Sequence, residues 1–131
     1  MTDRELVDLA IAMLERAYAP YSGFPVGAAL LCRDGAVFTG CNVENAAYGS
    51  TICAERTALV KAVSEGHRDD WAALAVAGRG EDWCWPCGAC RQMLSEFAPR
   101  LRILAARGDG AYAVSSLDEL LPYSFGPASL K

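Results

Sequence analysis

Three cysteines at intervals of three residues, Cys84, Cys87 and Cys90, lie in the segment WCWPCGACRQ, and their possible uses restrict this chain more than any other feature. The spacing matches the first three positions of a bacterial iron–sulfur motif, but none of the five residues after Cys90 is a cysteine. A redox pair of Cys87 and Cys90 has better grounds, because a C-x-x-C pair at a helix start has a lowered thiol pKa. That interpretation leaves the rest of the chain unexplained, so a metal site with a further ligand elsewhere must be considered.

A second cysteine element, in the segment TICAERTAL, supplies Cys53 and Glu55, with Cys53 lying 34 residues before Cys87. Both elements stand at predicted helix N-termini, where unpaired N–H groups and the helix dipole stabilise thiolates. Two such ends facing each other offer three thiolates to one zinc ion and leave its fourth position open, as in catalytic zinc sites. A Glu in the first helical turn can fold back beside that position and transfer protons. The two elements together predict a catalytic zinc site.

Neither element is specific alone. A lone Cys-x-Glu is common, and a lone C-x-x-C on a helix is often structural or redox-active. Together, with Pro86 before the pair, they match the zinc-deaminase signature in its variant with three cysteine ligands. A non-enzymatic module stabilised by zinc remains an alternative, although a closed structural site has no use for the Glu55 carboxylate.

The rest of the pattern predicts an α/β fold. Thr2 and Glu5 form a capping box before a helix that ends ahead of Pro20, and Asp34-Gly35 is a hairpin signal between two strands. Five strands are predicted: about 26–33, about 36–43, WAALAVAG, LRILAAR and AYAVS. Three later helices are predicted: one from about Cys53 to Glu65, one with Pro86 in its first turn, and one over SLDELL. This order predicts a single domain over residues 1–131, with three α/β/α layers and a five-stranded mixed sheet in the middle.

The composition restricts the partners of the chain. Its net charge is −4 and its pI is about 4.9, whereas a nucleic-acid ligand needs a basic surface, so we expect no nucleic-acid partner. Hydrophobic residues make up 53% of the chain, a surplus that often goes into contacts between subunits.

The distribution of apolar residues and cysteines predicts the compartment. No apolar run approaches the roughly 18 residues of a membrane span, and charges interrupt the segment MTDRELVDLAIAMLERAY, unlike the core of a signal peptide. We therefore expect a cytoplasmic protein without a membrane partner, in which the six cysteines remain thiols or thiolates. Cys32 and Cys41 resemble small apolar strand residues, and Cys84 is a candidate adventitious ligand.

The sequence resembles the small homotetrameric cytidine deaminases in PYSGFPVGAAL, GCNVENAAYGSTICAERTAL, PCGACRQ and ELLPYSFGP, almost from end to end. The resemblance implies zinc-dependent hydrolysis of cytidine and 2′-deoxycytidine to uridine and 2′-deoxyuridine, with release of ammonia, in pyrimidine salvage. It also implies a homotetramer with a five-stranded mixed sheet and one zinc ion per subunit. Cys53, Cys87 and Cys90 would bind the zinc, and Glu55 would be the proton shuttle.

The resemblance also assigns a nucleoside site. Phe24 would lie against the base, and Asn42 and Glu44 would bind ribose hydroxyls, for which an amide and a carboxylate offer both donors and acceptors. Ala54 would contact the substrate as well, and Tyr48 and Phe125 would reach into a neighbouring subunit's site. Taken without the resemblance, a solvent-facing edge strand is the alternative interpretation of Asn42 and Glu44.

Two further features concern the surroundings of the metal. Three thiolates give the zinc unit a net charge of −1, and a guanidinium that donates to the sulfurs would restore Lewis acidity. Arg56 is the first candidate for this role and Arg91 is the second. Trp85 departs from the family, which often carries a small hydroxyl residue there, so the preferred base and sugar variants stay open.

Two other deaminases remain as alternatives. A nucleic-acid deaminase would share the zinc site but would need a basic groove for the strand. A deaminase of a nucleoside antibiotic is closer, although the segment NVEN favours an ordinary ribose.

Overall fold

A five-stranded mixed sheet forms the middle layer of the computed structural model, which describes residues 1–131. Its strand order is β2-β1-β3-β4-β5, with β3 and β4 parallel and the other neighbours antiparallel. The strands are β1 Val26–Cys32, β2 Val37–Cys41, β3 Trp71–Gly78, β4 Arg102–Ala106 and β5 Tyr112–Ser116, and the helices are α1 Asp3–Ala12, α2 Ala54–Ser64, α3 Gly88–Phe97 and α4 Leu117–Leu120. The prediction of a five-stranded mixed sheet in an α/β fold is confirmed.

Helices cover both faces of the sheet. Helix α1 packs on one face through Leu6 and Val7, where β3 presents small side chains such as Ala75. Helices α2, α3 and α4 lie on the other face, where β3 presents Leu74 and Val76. Because neighbouring residues of a strand point to opposite faces, a strand covered on both sides is apolar at nearly every position. No helix in the structure is both long enough and apolar enough to cross a membrane.

The first helix ends ahead of Pro20 as predicted, whereas α3 begins later than predicted. The capping box of Thr2 and Glu5 is present, but α1 ends at Ala12 and continues as a short 3₁₀ helix over Met13–Arg16. Pro86 does not lie in the first turn of α3, because Cys87 has an extended backbone with ψ 168° and is the N-cap residue. The helix therefore begins at Gly88, one residue beyond the first cysteine of the C-x-x-C pair.

Helix α2 lies close to β2 because Gly40 has no side chain. A Cβ atom at Gly40 would collide with the Ala54 carbonyl oxygen and lie 2.6 Å from the Ala58 nitrogen. We expect Gly40→Ala to push α2 outward and to lower the free energy of unfolding by about 1–3 kcal/mol, as overpacked positions do. Urea unfolding measures this change. Gly80→Ala is the control, since a Cβ there meets nothing within 4 Å, and equal unfolding midpoints for the two variants would contradict the expectation.

Candidate active site

Two helix N-termini meet at the cysteine cluster. Cys53 is the N-cap residue of α2 and Cys87 is the N-cap residue of α3, and neither helix has a side-chain cap. Cys90 lies in the first turn of α3 and is buried. The three Sγ atoms lie within 4.8 Å of one another, and those of Cys53 and Cys87 are 3.8 Å apart. The fold therefore brings together the three cysteines that the sequence predicts as zinc ligands.

The spacing of these sulfurs fits zinc. In a tetrahedral site with Zn–S bonds of about 2.3 Å, the sulfur atoms lie about 3.8 Å apart. The Cys53–Cys87 separation has this value. Three cysteines fill three positions of such a site and leave the fourth to a ligand from outside the protein, which is the arrangement of catalytic zinc.

The cluster also stabilises negative charge on sulfur. The hydrogen bond with Cys90 lowers the pKa of Cys53 to about 5, with Arg56 and Cys87 adding to this effect against the opposing effect of burial. The same hydrogen bond, together with burial, raises the pKa of Cys90. A thiolate on Cys53 is thus favoured at neutral pH, which suits a site for a divalent cation.

Glu55 lies beside the cluster with only 4% of its surface exposed. Residues i and i+2 within a helix point in different directions, but Cys53 is the N-cap residue and lies outside the regular helix. Cys53 and Glu55 therefore both line one cavity of about 260 Å³. Burial raises the pKa of the Glu55 carboxyl, and the charge of Cys53 raises it further. A carboxyl with a raised pKa is suited both to accept and to return a proton.

Asn42 and Glu44 line the same cavity. Strand β2 ends at Cys41, earlier than predicted, and the two residues flank Val43, which forms isolated bridges with Tyr18 and Ile52. Both side chains are buried, so the alternative of a solvent-facing edge strand is wrong.

Hydrogen bonds hold both polar side chains in place. The Glu44 carboxylate accepts from the hydroxyl and N–H groups of Ser22 and from the N–H of Tyr21, and these bonds lower its pKa. The Asn42 amide donates to the Phe24 carbonyl and accepts from the Val26 N–H, at 2.9 Å each. Glu44 is therefore ionised at neutral pH, and Asn42 fixes the backbone that carries Phe24.

The Phe24 ring packs over the end of β3. A Cβ atom at Gly78 would lie 3.0 Å from the Phe24 Cζ atom and 3.3 Å from Cys84 Sγ. Phe24 is partly exposed and is not among the residues that line the 260 Å³ cavity, whereas Cys84 is. The ring thus lies next to a wall of the cavity.

The comparison with known families agrees with this geometry. Residues 1–105 match the family model of the cytidine and deoxycytidylate deaminase zinc-binding region. The chain belongs to the cytidine and deoxycytidylate deaminase family. Zinc is accordingly the metal of this deaminase, and Cys53, Cys87 and Cys90 are the residues that could hold it.

Individual relatives of this deaminase are similar over most of their length. A cytidine deaminase from Halalkalibacterium halodurans is 49% identical over 125 residues, which cover 94% of each chain. The crystal structure of cytidine deaminase from Burkholderia pseudomallei is 50% identical, with a TM-score of 0.92 and coverage of 95% of this chain and 100% of that chain. A blasticidin-S deaminase from Bacillus cereus is 29% identical over 130 residues, covering 94% of this chain and 91% of its own. The resemblance noted in the sequence is confirmed.

Of the residues Trp83, Cys84 and Trp85 of this deaminase, the last two line the cavity and the first does not. Trp85 lines the cavity, whereas Trp83 stacks under the Arg107 guanidinium, 4.5 Å from the ring centre. Cys84 lies outside the three-sulfur cluster, and burial raises the pKa of its thiol to about 12. Cys84 is therefore a neutral, apolar part of the wall.

The two candidate arginines have different partners. Arg56 Nη2 lies 3.5 Å from Cys53 Sγ and 3.3 Å from the Thr51 carbonyl oxygen. Arg91 instead donates to the carbonyls of Pro86 and Leu120, at 2.7 and 2.8 Å. Arg91 thus holds the loop before Cys87 against α4 and does not face the sulfurs, a role that no sequence signal indicated.

Tyr48 and Phe125 remain exposed in the single chain, at 75% and 58% of their surface. Tyr48 lines a second cavity of about 370 Å³, which shares Glu44 and Thr51 with the first. The Phe125 carbonyl accepts a hydrogen bond of 2.8 Å from Gln92 on α3, a contact that the sequence did not predict. Neither aromatic ring lines the cysteine cavity of its own chain.

Proposed function

We propose that this protein hydrolyses cytidine and 2′-deoxycytidine to uridine and 2′-deoxyuridine, releasing ammonia. The observation that carries this function is the buried Glu55 carboxyl beside three sulfurs spaced for zinc, in one cavity with Asn42 and Glu44. Membership of the deaminase family and the names of the close relatives support it.

Glu55 moves the protons of this reaction. Zinc, when bound by the three cysteines, supplies the Lewis acidity that makes water a nucleophile at neutral pH. Glu55 accepts a proton from the attacking water and delivers it to N3 of the pyrimidine as the oxygen bonds to C4. Glu55 then takes the second proton of that water from the hydroxyl now on C4 and donates it to the departing amine as the C4–N bond breaks, so that water and cytidine become uridine and ammonia. The raised pKa of Glu55 suits a group that must act as base and acid in one cycle.

The polar residues of the cavity orient the nucleoside. We assign the ribose hydroxyls to Glu44, an ionised acceptor, and to Asn42, whose amide retains an N–H beyond its bond to Phe24. Phe24 is assigned to the base, and Ala54, which also lines the cavity, contacts the substrate near the metal. The two adjoining cavities together fall within the size range of small-molecule sites, roughly 300–1,000 Å³.

Loss of ultraviolet absorbance on incubation with cytidine tests the function directly. We expect turnover of both free nucleosides, with no deamination of single-stranded DNA, because the acidic chain lacks the basic groove that a strand requires. Blasticidin S is the competing substrate, since a relative is named for it. A zinc-replete protein that is inert towards every pyrimidine nucleoside would contradict the proposal.

We assign Arg56 the role of tuning the metal, because it is the arginine whose guanidinium approaches a ligand sulfur. Arg56→Gln should keep the zinc and lower kcat about 10- to 100-fold, the usual effect of removing a group that hydrogen-bonds a metal ligand. Zinc analysis and steady-state kinetics measure both quantities. Arg68→Gln, on the exposed turn after α2, is the matched control. Unchanged kinetics in Arg56→Gln would reject the role.

We further propose a homotetramer in which Tyr48 and Phe125 complete the site of a neighbouring subunit. Both rings are exposed in one chain, and Gln92 ties the segment of Phe125 to the helix that carries Cys90. Light scattering tests this assembly against the 14.0 kDa mass of one chain. We place the reaction in cytoplasmic pyrimidine salvage, where a reducing environment keeps the six cysteines from forming disulfides.

A further inference from the structure

A second cluster of ligand-type side chains lies at the other end of α2. Cys32 is the last residue of β1, His67 follows α2, and Asp70 immediately precedes β3. One ligand atom from each of the three residues lies within 4.8 Å of the other two. An α-helix of 11 residues spans about 16 Å, so this cluster is well separated from Cys53 and Glu55.

The backbone at this cluster is held by hydrogen bonds. Gly66 adopts a φ of 91° and ends α2, and the His67 N–H then donates to the Ala62 carbonyl at 2.9 Å. The indole N–H of Trp71 donates to the His67 carbonyl at 3.0 Å, and the Asp70 carbonyl accepts from Arg33 at 2.7 Å. His67 and Asp70 are thus positioned by contacts that do not involve their side chains.

The His67 ring lies near two carboxylates. His67 Nδ1 lies 2.8 Å from Asp70 Oδ2, and His67 Nε2 lies 3.7 Å from Asp34 Oδ2. The 2.8 Å contact is a hydrogen bond, whereas a separation of 3.7 Å is too long for one. The second oxygen of Asp70, Oδ1, is buried and has no hydrogen-bond partner in the protein. This oxygen is available to a cation.

We propose that Cys32, His67 and Asp70 form a second metal site. One sulfur, one imidazole nitrogen and one carboxylate oxygen suit zinc or cobalt, whereas magnesium and calcium prefer sites made of oxygens alone. The three ligands come from the ends of β1 and α2 and from the start of β3. A cation there links the sheet to α2 and stabilises the folded chain.

Cobalt titration of the zinc-loaded enzyme tests this site. We expect the wild-type protein to bind one equivalent of Co²⁺ beyond its catalytic zinc, with thiolate-to-cobalt charge-transfer absorbance and a rise in Tm. His67→Asn should lose the absorbance and the rise in Tm while keeping its deaminase activity. Cys41→Ser, which removes a half-buried thiol outside both clusters, should behave as the wild type does.

The outcomes separate a metal site from an ordinary ion pair of His67 with Asp70. Wild-type protein that binds no cobalt beyond the catalytic site would overturn the proposal, as would the same charge-transfer absorbance in His67→Asn. His67→Asn decides the matter because its side chain is only partly buried, whereas Cys32 is in the core and Cys32→Ser can also fail through misfolding. The deaminase assay reports on the site at the other end of α2. A loss of deaminase activity is therefore distinguishable from a loss of cobalt binding at the second site.

Discussion

We expect Glu55→Gln to lower kcat for cytidine by at least about 10⁴-fold, the upper end of the range for general acid–base catalysis. This factor corresponds to about 5 kcal/mol of transition-state stabilisation. The effect is large because one carboxyl carries every proton transfer of the proposed reaction. Gln has the same shape but cannot accept a proton, and it removes a buried acid whose pKa is raised mainly by burial. The absorbance assay with cytidine measures the loss.

The zinc content distinguishes lost chemistry from a lost site. Glu55→Gln should retain the zinc of the wild-type protein, because the three sulfurs are untouched. Glu65→Gln changes an exposed glutamate at the opposite end of α2 and should keep full activity. A Glu55→Gln protein within tenfold of wild-type kcat would show that another group transfers the proton.

Cys87→Ser should lose one equivalent of zinc per chain and more than about 10³-fold in kcat, because the nucleophilic water depends on the metal. The variant leaves two cysteine ligands and a neutral hydroxyl in place of the third thiolate. Serine is a favoured N-cap residue, so α3 should still form at this position. Zinc analysis after dialysis, together with circular dichroism, separates loss of the ion from loss of the helix.

Cys41→Ser is the matched control for this substitution, since Cys41 is outside the cluster and its thiol contacts the Arg16 carbonyl. It should keep both the zinc and the activity. Retention of a full equivalent of tightly bound zinc by Cys87→Ser would remove Cys87 from the ligand set and would require a different third ligand.

Local sequence signals predicted most of the fold. The capping box of Thr2 and Glu5 and the Asp34-Gly35 hairpin each depend on residues close together in the chain, and both are present. Helix ends were less predictable. Cys53 and Cys87 occupy N-cap positions without giving the usual side-chain cap, so only the surrounding structure determines where α2 and α3 begin.

Contacts between distant segments could not be predicted in the same way. Arg56 and Arg91 each lie near a cysteine ligand in sequence, yet one guanidinium approaches Cys53 and the other holds the carbonyls of Pro86 and Leu120. Side-chain direction depends on neighbours that packing brings together. Cys32 illustrates the same limit, because the sequence pattern predicts an apolar strand residue there and the fold places His67 and Asp70 beside it.

The sequence by itself determined the chemistry that this chain can support. The types and spacing of Cys53, Glu55, Cys87 and Cys90 indicate zinc and a proton shuttle, because ligand softness and acidity belong to individual side chains. Only the tertiary structure decided that these groups share one cavity with Asn42 and Glu44, and which arginine faces the sulfurs. The reason is that distances and burial, and with them the pKa of Glu55, arise from the packing of segments far apart in the chain.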